Sequence, residues 1–419
     1  MMFSIAPLKI EKKSSLQQWG LFFLAGLSAS IPFCNAIAIK AAGIPLSLIA
    51  VVLTVRSLAK PTLAGAAFSS PLWLGVLWAL GTLSISRLGR VIDAYYLFLS
   101  VPLLLTQVRL RHDQLRSILG LFVLSTTLAF VITLAVAASN YLRGLTPYTG
   151  RLSDLFFHEQ LGYAVFQGHP TYFSLLACTS TLILIFYFPK KKWESMMLII
   201  FFTCFVAILM ARITLIIQLA LLLYFVYRNL AHSASMRLLA LFIAAIGFTL
   251  VYFFTIKTYD YPHRRFFQNF AENWQRSGKP GLSETDWGVT TRFALWRASW
   301  QVISTHPWTG IGNLSEKEAL SLQLRANGQE FVAGLMMDSH NQYLSFLMAY
   351  GFLGAAVLLV CQLYLLQKGR SNLPYLVFIL VIALVACTEG ILMRFMGVSH
   401  VAVIGSVLFF GTGSIENDK

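Results

Sequence analysis

Apolar runs long enough to cross a bilayer recur along the whole chain, separated by short polar breaks. Twelve are legible, near 17–38, 42–58, 69–86, 91–108, 116–138, 168–188, 194–211, 213–228, 236–256, 341–366, 372–390 and 395–413. A helix needs about 20 apolar residues to span the hydrocarbon core, so the pattern predicts an all-α polytopic membrane protein of about twelve transmembrane helices. One polar break is far longer than the others and itself carries helical periodicity. The expected division is therefore a membrane part with the first nine helices (1–256), a partly helical loop with amphipathic segments (257–340), and the last three helices (341–419). The opening stretch is basic and then apolar, but no small-residue cleavage site follows. It reads as a retained first helix.

Composition agrees with the pattern. The chain of 419 residues is 57% hydrophobic and 12% charged, where soluble domains carry about 25% charged residues. The bilayer must serve as solvent for most of this surface. The net charge of +15 does not point to nucleic acid, because cytoplasmic loops of membrane proteins accumulate Lys and Arg. With the N-terminus inside, sixteen basic residues fall in inner segments, among them Lys12, Lys13, Arg109, Arg111 and the run Lys190–Lys192. Only seven fall in the short outer ones: Lys40, Arg87, Arg90, Arg143, Arg151, Arg212 and Arg394. This bias puts the long loop outside. The five cysteines lie in apolar stretches without metal-ligand spacing and read as small core residues.

The long loop is not a linker. It holds Trp274, Trp287, Trp296, Trp300 and Trp308, five of the nine tryptophans, whereas flexible linkers are poor in aromatics. Phe293, Trp296, Trp300 and Ile303 follow helical spacing, with Thr290 or Thr291 as the expected cap and Pro307 as the stop. Such a helix suits a membrane surface. Ser315 to Glu318 reads as a capping box opening a second helix. Nine Lys/Arg against eight Asp/Glu in 257–339 mean that no general basic field covers the loop.

The strongest local feature is Asp338-Ser339-His340-Asn341-Gln342, where the loop re-enters the membrane. Ser339 and Gln342 fit a capping box. His340 is then expected in the first helical turn, where the positive helix end disfavours imidazolium and leaves a neutral base; an interfacial His that only completes the cap is the blander reading. Arg212 stands between two apolar runs, a costly place for a cation unless it is functional or snorkels to the surface. Arg292 opens the amphipathic helix, with Arg297 beyond it. Arg87, Arg90 and Arg394 are outer cations against the charge rule, a hint of an anionic ligand. Asp93 and Glu389 lie near or within spans as functional candidates, each open to neutralisation by a basic partner. His158 and His169, in the shorter outer segment, read as ordinary polar residues.

No Walker loop, dinucleotide fingerprint or HExxH motif is present, and no DxD stands in the outer loops. The carboxylate pairs Glu284/Asp286 and Glu316/Glu318 remain, the second fitting helix capping. The expectation is chemistry without metal, nucleotide or other cofactor, on a donor that carries its own leaving group. A lipid diphosphate arriving within the membrane meets that requirement.

His340-Asn341, nine residues, then Gly351-Phe352-Leu353-Gly354 resembles the H-N-x9-G-x-x-G signature of the O-antigen ligase family. The likeness extends to the twelve-span layout, the long loop before the motif, the segments 291–296 and 307–312, and Arg212 between two spans. The resemblance implies a glycosyltransferase of the bacterial inner membrane, multi-pass, with a long periplasmic loop and its active site on the periplasmic face. It would move polysaccharide from an undecaprenyl-diphosphate-linked donor to a lipid A–core acceptor in lipopolysaccharide assembly, metal-independent and inverting. It implies His340 as general base and Arg212 and Arg292 as diphosphate-binding residues, with Asn341, Arg87, Arg90 and Arg394 as supporting candidates. The two glycines, about one turn apart, are expected to admit a neighbouring helix. Related oligosaccharide polymerases and protein O-oligosaccharyltransferases share the motif and differ in acceptor. A transporter of an anionic lipid or glycan is a more distant alternative, and a membrane scaffold leaves His340 without a role.

Overall fold

The computed structural model describes residues 14–33, 36–57, 62–81, 85–147, 150–166, 169–189, 192–229, 270–283, 286, 288–312 and 315–411. Every regular element among them is helical: α1 (Ser15–Ser30), α2 (Ala36–Ser57), α3 (Leu63–Phe68), α4 (Ser70–Gly81), α5 (Ile85–Tyr95), α6 (Leu97–Gln107), α7 (His112–Leu142), α8 (His158–Tyr163), α9 (Pro170–Tyr187), α10 (Lys192–Leu209), α11 (Arg212–Asn229), α12 (Phe270–Arg276), α13 (Val289–Thr305), α14 (Glu316–Ala326), α15 (Glu330–Gly334), α16 (Gln342–Lys368), α17 (Leu373–Ala386) and α18 (Phe395–Gly411).

Among the described residues, four helices are individually long and apolar enough to cross a membrane, within α2, α7, α9 and α16. A fifth span forms if α5 and α6, bent by 46° at Tyr96, are taken together, and α10, α17 and α18 are shorter apolar helices. The expected run 236–256 lies outside the described residues. The multi-pass reading stands on these helices and on their outer surface, where side chains such as Ile37, Val55, Leu142, Trp193 and Ile216 are exposed. Such a surface requires lipid as its solvent.

α9 is the centre of one bundle, packed by α7, α10, α11 and α17; α18 packs on α6 and α17. Several buried hydroxyls return hydrogen bonds to their own helix, as Thr126 does to the Phe122 carbonyl and Thr133 to that of Ala129. The buried Gln218 amide donates to Thr181 (2.9 Å) and Thr203 (3.1 Å), tying α11 to α9 and α10. Of the cysteines, Cys178 is buried, Cys361 is half-buried, and Cys204 and Cys387 are exposed, so the expectation of core cysteines holds for Cys178 and fails for the exposed pair; Cys34 lies outside the described residues.

The loop helices make a second, smaller core. Ala294, Leu295, Ala298 and Ile303 of α13 bury against Leu320, Leu324, Val332 and Met348. α13 begins after Gly288 and ends before His306, one residue ahead of Pro307. Neither threonine caps it: Thr291 Oγ1 donates to the Asp286 carbonyl and Thr290 Oγ1 to Asn273. The expected apolar face is also rotated, since Phe293 and Ile303 are buried while Trp300 is 57% exposed.

A backbone splice joins this core to the membrane helices. α16 breaks at Gly351 (φ 61°, ψ −170°), a conformation open essentially to glycine. The break frees the Met348 and Ala349 carbonyls, which accept from Ile311 N (2.7 Å) and Gly312 N (2.9 Å), while Phe352 N and Leu353 N donate to the carbonyls of Pro307 (2.7 Å) and Trp308 (3.3 Å). A Cβ at Gly351 would fall on the Trp308 carbonyl, and one at Gly310 on the Met348 carbonyl. What Gly351 admits is therefore the turn segment 307–312, where helix–helix contact was expected. Gly354 faces the Tyr350 side chain of its own helix.

Candidate active site

The residues 338–341 cross from the small core to α16. Asn341 is the N-cap, its Oδ1 accepting from Tyr343 N (3.0 Å) and Leu344 N (3.1 Å). This corrects the expected Ser339–Gln342 box. Gln342 Oε1 instead accepts from Leu392 N (2.6 Å), and Ser339 Oγ bonds the Asn341 carbonyl and Ser345. His340 accordingly precedes the helix and is not within its first turn. Its φ of 49° is left-handed, uncommon for any residue but glycine and frequent where function demands strain.

That strain is held from several sides. His340 N donates to Asp338 Oδ1 (3.1 Å). The Trp296 indole donates to the Ser339 carbonyl (3.0 Å). Glu316 Oε1 accepts from Ser339 N (2.8 Å) and Ser345 Oγ (2.9 Å). Glu316 is fully enclosed, and burial pushes its carboxyl up to about 7 against those hydrogen bonds. Ser315 makes no side-chain cap, so the expected capping box does not form and Glu316 serves the His340 segment.

The imidazole meets Glu389, which lies between α17 and α18. His340 Nδ1 is 3.2 Å from Glu389 Oε2. Glu389 Oε1 accepts from Arg292 Nη2 (2.6 Å) and Thr171 Oγ1 (3.2 Å), and Arg292 Nη1 donates to the Thr388 carbonyl (3.2 Å). His340 and Glu389 are 5% and 3% exposed. Burial pushes the Glu389 carboxyl up. The Arg292 charge, the His340 hydrogen bond and nearby His169 outweigh that effect and hold it well below the usual carboxylate range. An ionised Glu389 fixes the proton on Nδ1 and leaves the Nε2 lone pair as the base.

Two further groups border this cluster. His169 caps α9, with its ring 6.4 Å from that of His340. Burial lowers its imidazole to about 4, with Glu389 pulling the other way, so it is neutral near pH 7. Arg394 is exposed, lies over the Tyr172 ring at 5.8 Å and is close enough to Asp338, Tyr163 and Glu389 to interact with their charges. Tyr172 Oη donates to the Gly390 carbonyl (3.0 Å), anchoring the turn that carries Glu389.

The other sequence candidates lie around this centre. Arg212 is half-buried and opens α11 after a left-handed Met210. Cys178 Sγ meets the Thr214 carbonyl (3.4 Å), and Thr181 meets Gln218. α9 and α11 therefore run parallel with an offset of 36 or 37 residues. Arg212 thus stands level with residues 175–176, six or seven residues past His169, or about 10 Å along the axis at 1.5 Å per residue. Arg87 and Arg90 sit on α5, upstream of Tyr95, whose hydroxyl reaches the Leu392 carbonyl (3.2 Å). Asp93 is paired with Lys40 (2.7 Å), and Asp286 with Arg276 (3.0 Å). Glu284 lies outside the described residues. Sequence reasoning missed His169 and the role of Glu316. The first carried one faint signal, a His before the Pro170 that opens an apolar run; the second carried none.

The arrangement can accept a proton at a fixed nitrogen beside several guanidinium groups, which suits attack by a hydroxyl with departure of an anion. Residues 196–359 match the family model described as O-antigen ligase. The match takes in Arg212, Arg292, Glu316, His340, Gly351 and Gly354 and stops before Glu389. No curated protein matches the chain.

Proposed function

We propose, for a chain that belongs to the O-antigen ligase family, that it ligates a glycan from undecaprenyl diphosphate onto lipid A–core at the periplasmic face of the inner membrane. The family is one of glycosyltransferase-like membrane enzymes with lipid-linked glycan substrates. The observation that carries the reading is the buried relay Arg292–Glu389–His340, which holds the imidazole by Nδ1 and leaves Nε2 as its one available basic nitrogen, beside cations.

In this mechanism His340 Nε2 takes the proton of an acceptor sugar hydroxyl. The hydroxyl oxygen attacks the anomeric carbon from the face opposite the diphosphate, and the bond from that carbon to the phosphate oxygen breaks. The electron pair leaves on undecaprenyl diphosphate, and the configuration inverts. Arg212, Arg394 and the donors of Arg292 not spent on Glu389 hold the diphosphate as its charge grows. Guanidinium groups suit phosphate as multidentate donors, and fixed cations at that point lower the barrier most. Arg292 thereby serves both Glu389 and the leaving group. A well-placed base contributes about 10²–10⁴-fold.

The test is reconstitution of the purified protein with a lipid-diphosphate glycan and lipid A–core, without nucleotide or added metal. Transfer to the acceptor is expected, and His340→Ala and Arg212→Ala should each abolish it while the protein still inserts. Lengthening of the donor chain without acceptor would make the protein a polymerase. Passage across the bilayer without bond cleavage would make it a transporter. Wild-type transfer by either variant would overturn the assignment of its residue.

A further inference from the structure

A second feature of the loop lies outside the relay. One face of α13 presents Trp296, Arg297, Trp300 and Gln301 at helical spacing, opposite the face that buries Ala294, Leu295 and Ala298. With Trp274 from α12 and Gln329 from the turn before α15, these residues line a cleft of about 630 Å³, inside the roughly 300–1,000 Å³ range of ligand sites. Folding does not require this face, since Trp300 is 57% and Trp274 45% exposed.

The lining is prearranged. Arg297 stacks on the Trp274 ring at 4.0 Å and donates to Ser277 Oγ (3.2 Å) and the Trp274 carbonyl (3.1 Å). Gln301 Oε1 accepts from Asn327 (2.8 Å). Gln329 is 2% exposed, its amide nitrogen donates to the Ser277 and Lys279 carbonyls, and its Oε1 has no hydrogen-bond partner. A buried acceptor left unsatisfied at a cleft wall is costly in an empty site. The inner end reaches the relay, because the Trp296 indole donates to the carbonyl of Ser339, the neighbour of His340.

A pyranose ring has an apolar face of C–H groups and an edge of hydroxyls. Indoles match the first by large rigid contact area, and amide and guanidinium groups match the second. An interfacial helix needs a continuous apolar face, whereas here Arg297 and Gln301 alternate with the indoles in a concavity.

We infer that the cleft between α12, α13 and the turn before α15 is a glycan subsite that holds pyranose units of a substrate chain next to His340. This rests on the glycan-transfer reading and deepens it. Donor polysaccharide and acceptor core offer the same chemistry, and the experiment separates them. Full-length protein in nanodiscs is titrated with delipidated polysaccharide and, separately, with delipidated core oligosaccharide, by calorimetry. One of the two is expected to bind, and Trp300→Ala should weaken it about tenfold, the scale of one lost aromatic contact. KM for the same substrate should rise by a similar factor, with kcat within about twofold. Trp300→Phe should recover part of the loss and Trp300→Leu should not, and Gln301→Ala should give a smaller loss of the same kind. Transfer with no change of KM in these variants would overturn the subsite and leave the proposed function standing. Trp300→Leu matching wild type in glycan binding and KM while Trp300→Ala does not would make the face an apolar membrane contact and overturn the subsite. Glycan binding without transfer would keep the subsite and remove the ligase reading.

Discussion

Arg292 and Glu389 lie 97 positions apart in sequence and 2.6 Å apart in space, and Glu389 passes that constraint to His340 through its other oxygen. The guanidinium keeps the carboxylate ionised, and the carboxylate keeps the imidazole in one tautomer. Glu389→Gln preserves shape and removes the charge, so transfer should fall about 10²–10⁴-fold, the span of a general base, with insertion intact. Arg292→Lys keeps the charge and loses the two-point contact with Glu389 and the Thr388 carbonyl, and should fall nearly as far. Equal rates for Glu389→Gln and wild type, measured by single-turnover transfer, would remove Glu389 from the mechanism.

Glu316 gives a stability prediction with a definite sign. Its folded value, pushed up to about 7, exceeds the ordinary 4.5, so the folded state holds the proton more tightly. Stability from this group is full below about pH 4.5 and declines as pH rises to 7, by on the order of 3 kcal/mol. Glu316→Gln keeps an acceptor for Ser339 N and cannot ionise. Its melting temperature should be flat where that of wild type drops between pH 5 and 8, and higher than wild type at pH 8. Parallel curves for the two proteins would refute the enclosed-carboxyl account.

Glu389 acts in the opposite sense. Its folded value is depressed, so its contribution is complete above about pH 4.5 and fades as pH falls below that. Acid should therefore loosen the turn between α17 and α18 in wild type, read as rising amide exchange at residues 388–392 below pH 4.5. Glu389→Gln should already exchange rapidly at pH 7.

Asn341 follows His340 but contributes as a cap. Asn341→Ala leaves two N–H groups of α16 without their partner and should cost about 1 kcal/mol, with Asn341→Asp restoring most of it. A rate loss as large as that of Glu389→Gln, at unchanged melting temperature, would instead assign Asn341 to the chemistry.

The membrane helices were legible because lipid leaves one signature, long apolar runs, and because basic residues mark loops. Arg212 stood out as a cation at a costly place, His340 by the motif where the loop re-enters the membrane, and Arg292 by its position at the start of the amphipathic helix. Their assembly was not legible. Pairing of Glu389 with Arg292 and His340 depends on how α17 and α18 pack beside α13, which no local pattern encodes. The capping boxes misled for a related reason. Ser315 to Glu318 and Ser339 to Gln342 satisfy the sequence rule, yet Ser315 makes no cap, and in the second box tertiary contacts offered Gln342 a donor at Leu392 N while Ser339 Oγ went to the Asn341 carbonyl and Ser345. A local motif yields when a buried donor competes for the same acceptor.

Gly351 was read as a helix-packing residue and proves to be a break. Gly351→Ala puts a Cβ on the Trp308 carbonyl at a left-handed φ, and backbone strain of that kind alone costs about 1–3 kcal/mol. The variant should accumulate poorly or lose its melting transition, whereas Ala at the exposed Gly334, where a Cβ meets nothing, should behave as wild type.

The splice of 307–312 into the break of α16 also governs how this chain can change length. Four backbone hydrogen bonds alternate across it in strict register, so one residue gained or lost between Pro307 and Gly312, or between Met348 and Leu353, turns every donor away from its acceptor. Descendants of this sequence are therefore bound to keep the lengths of 307–312 and 348–353 matched to each other.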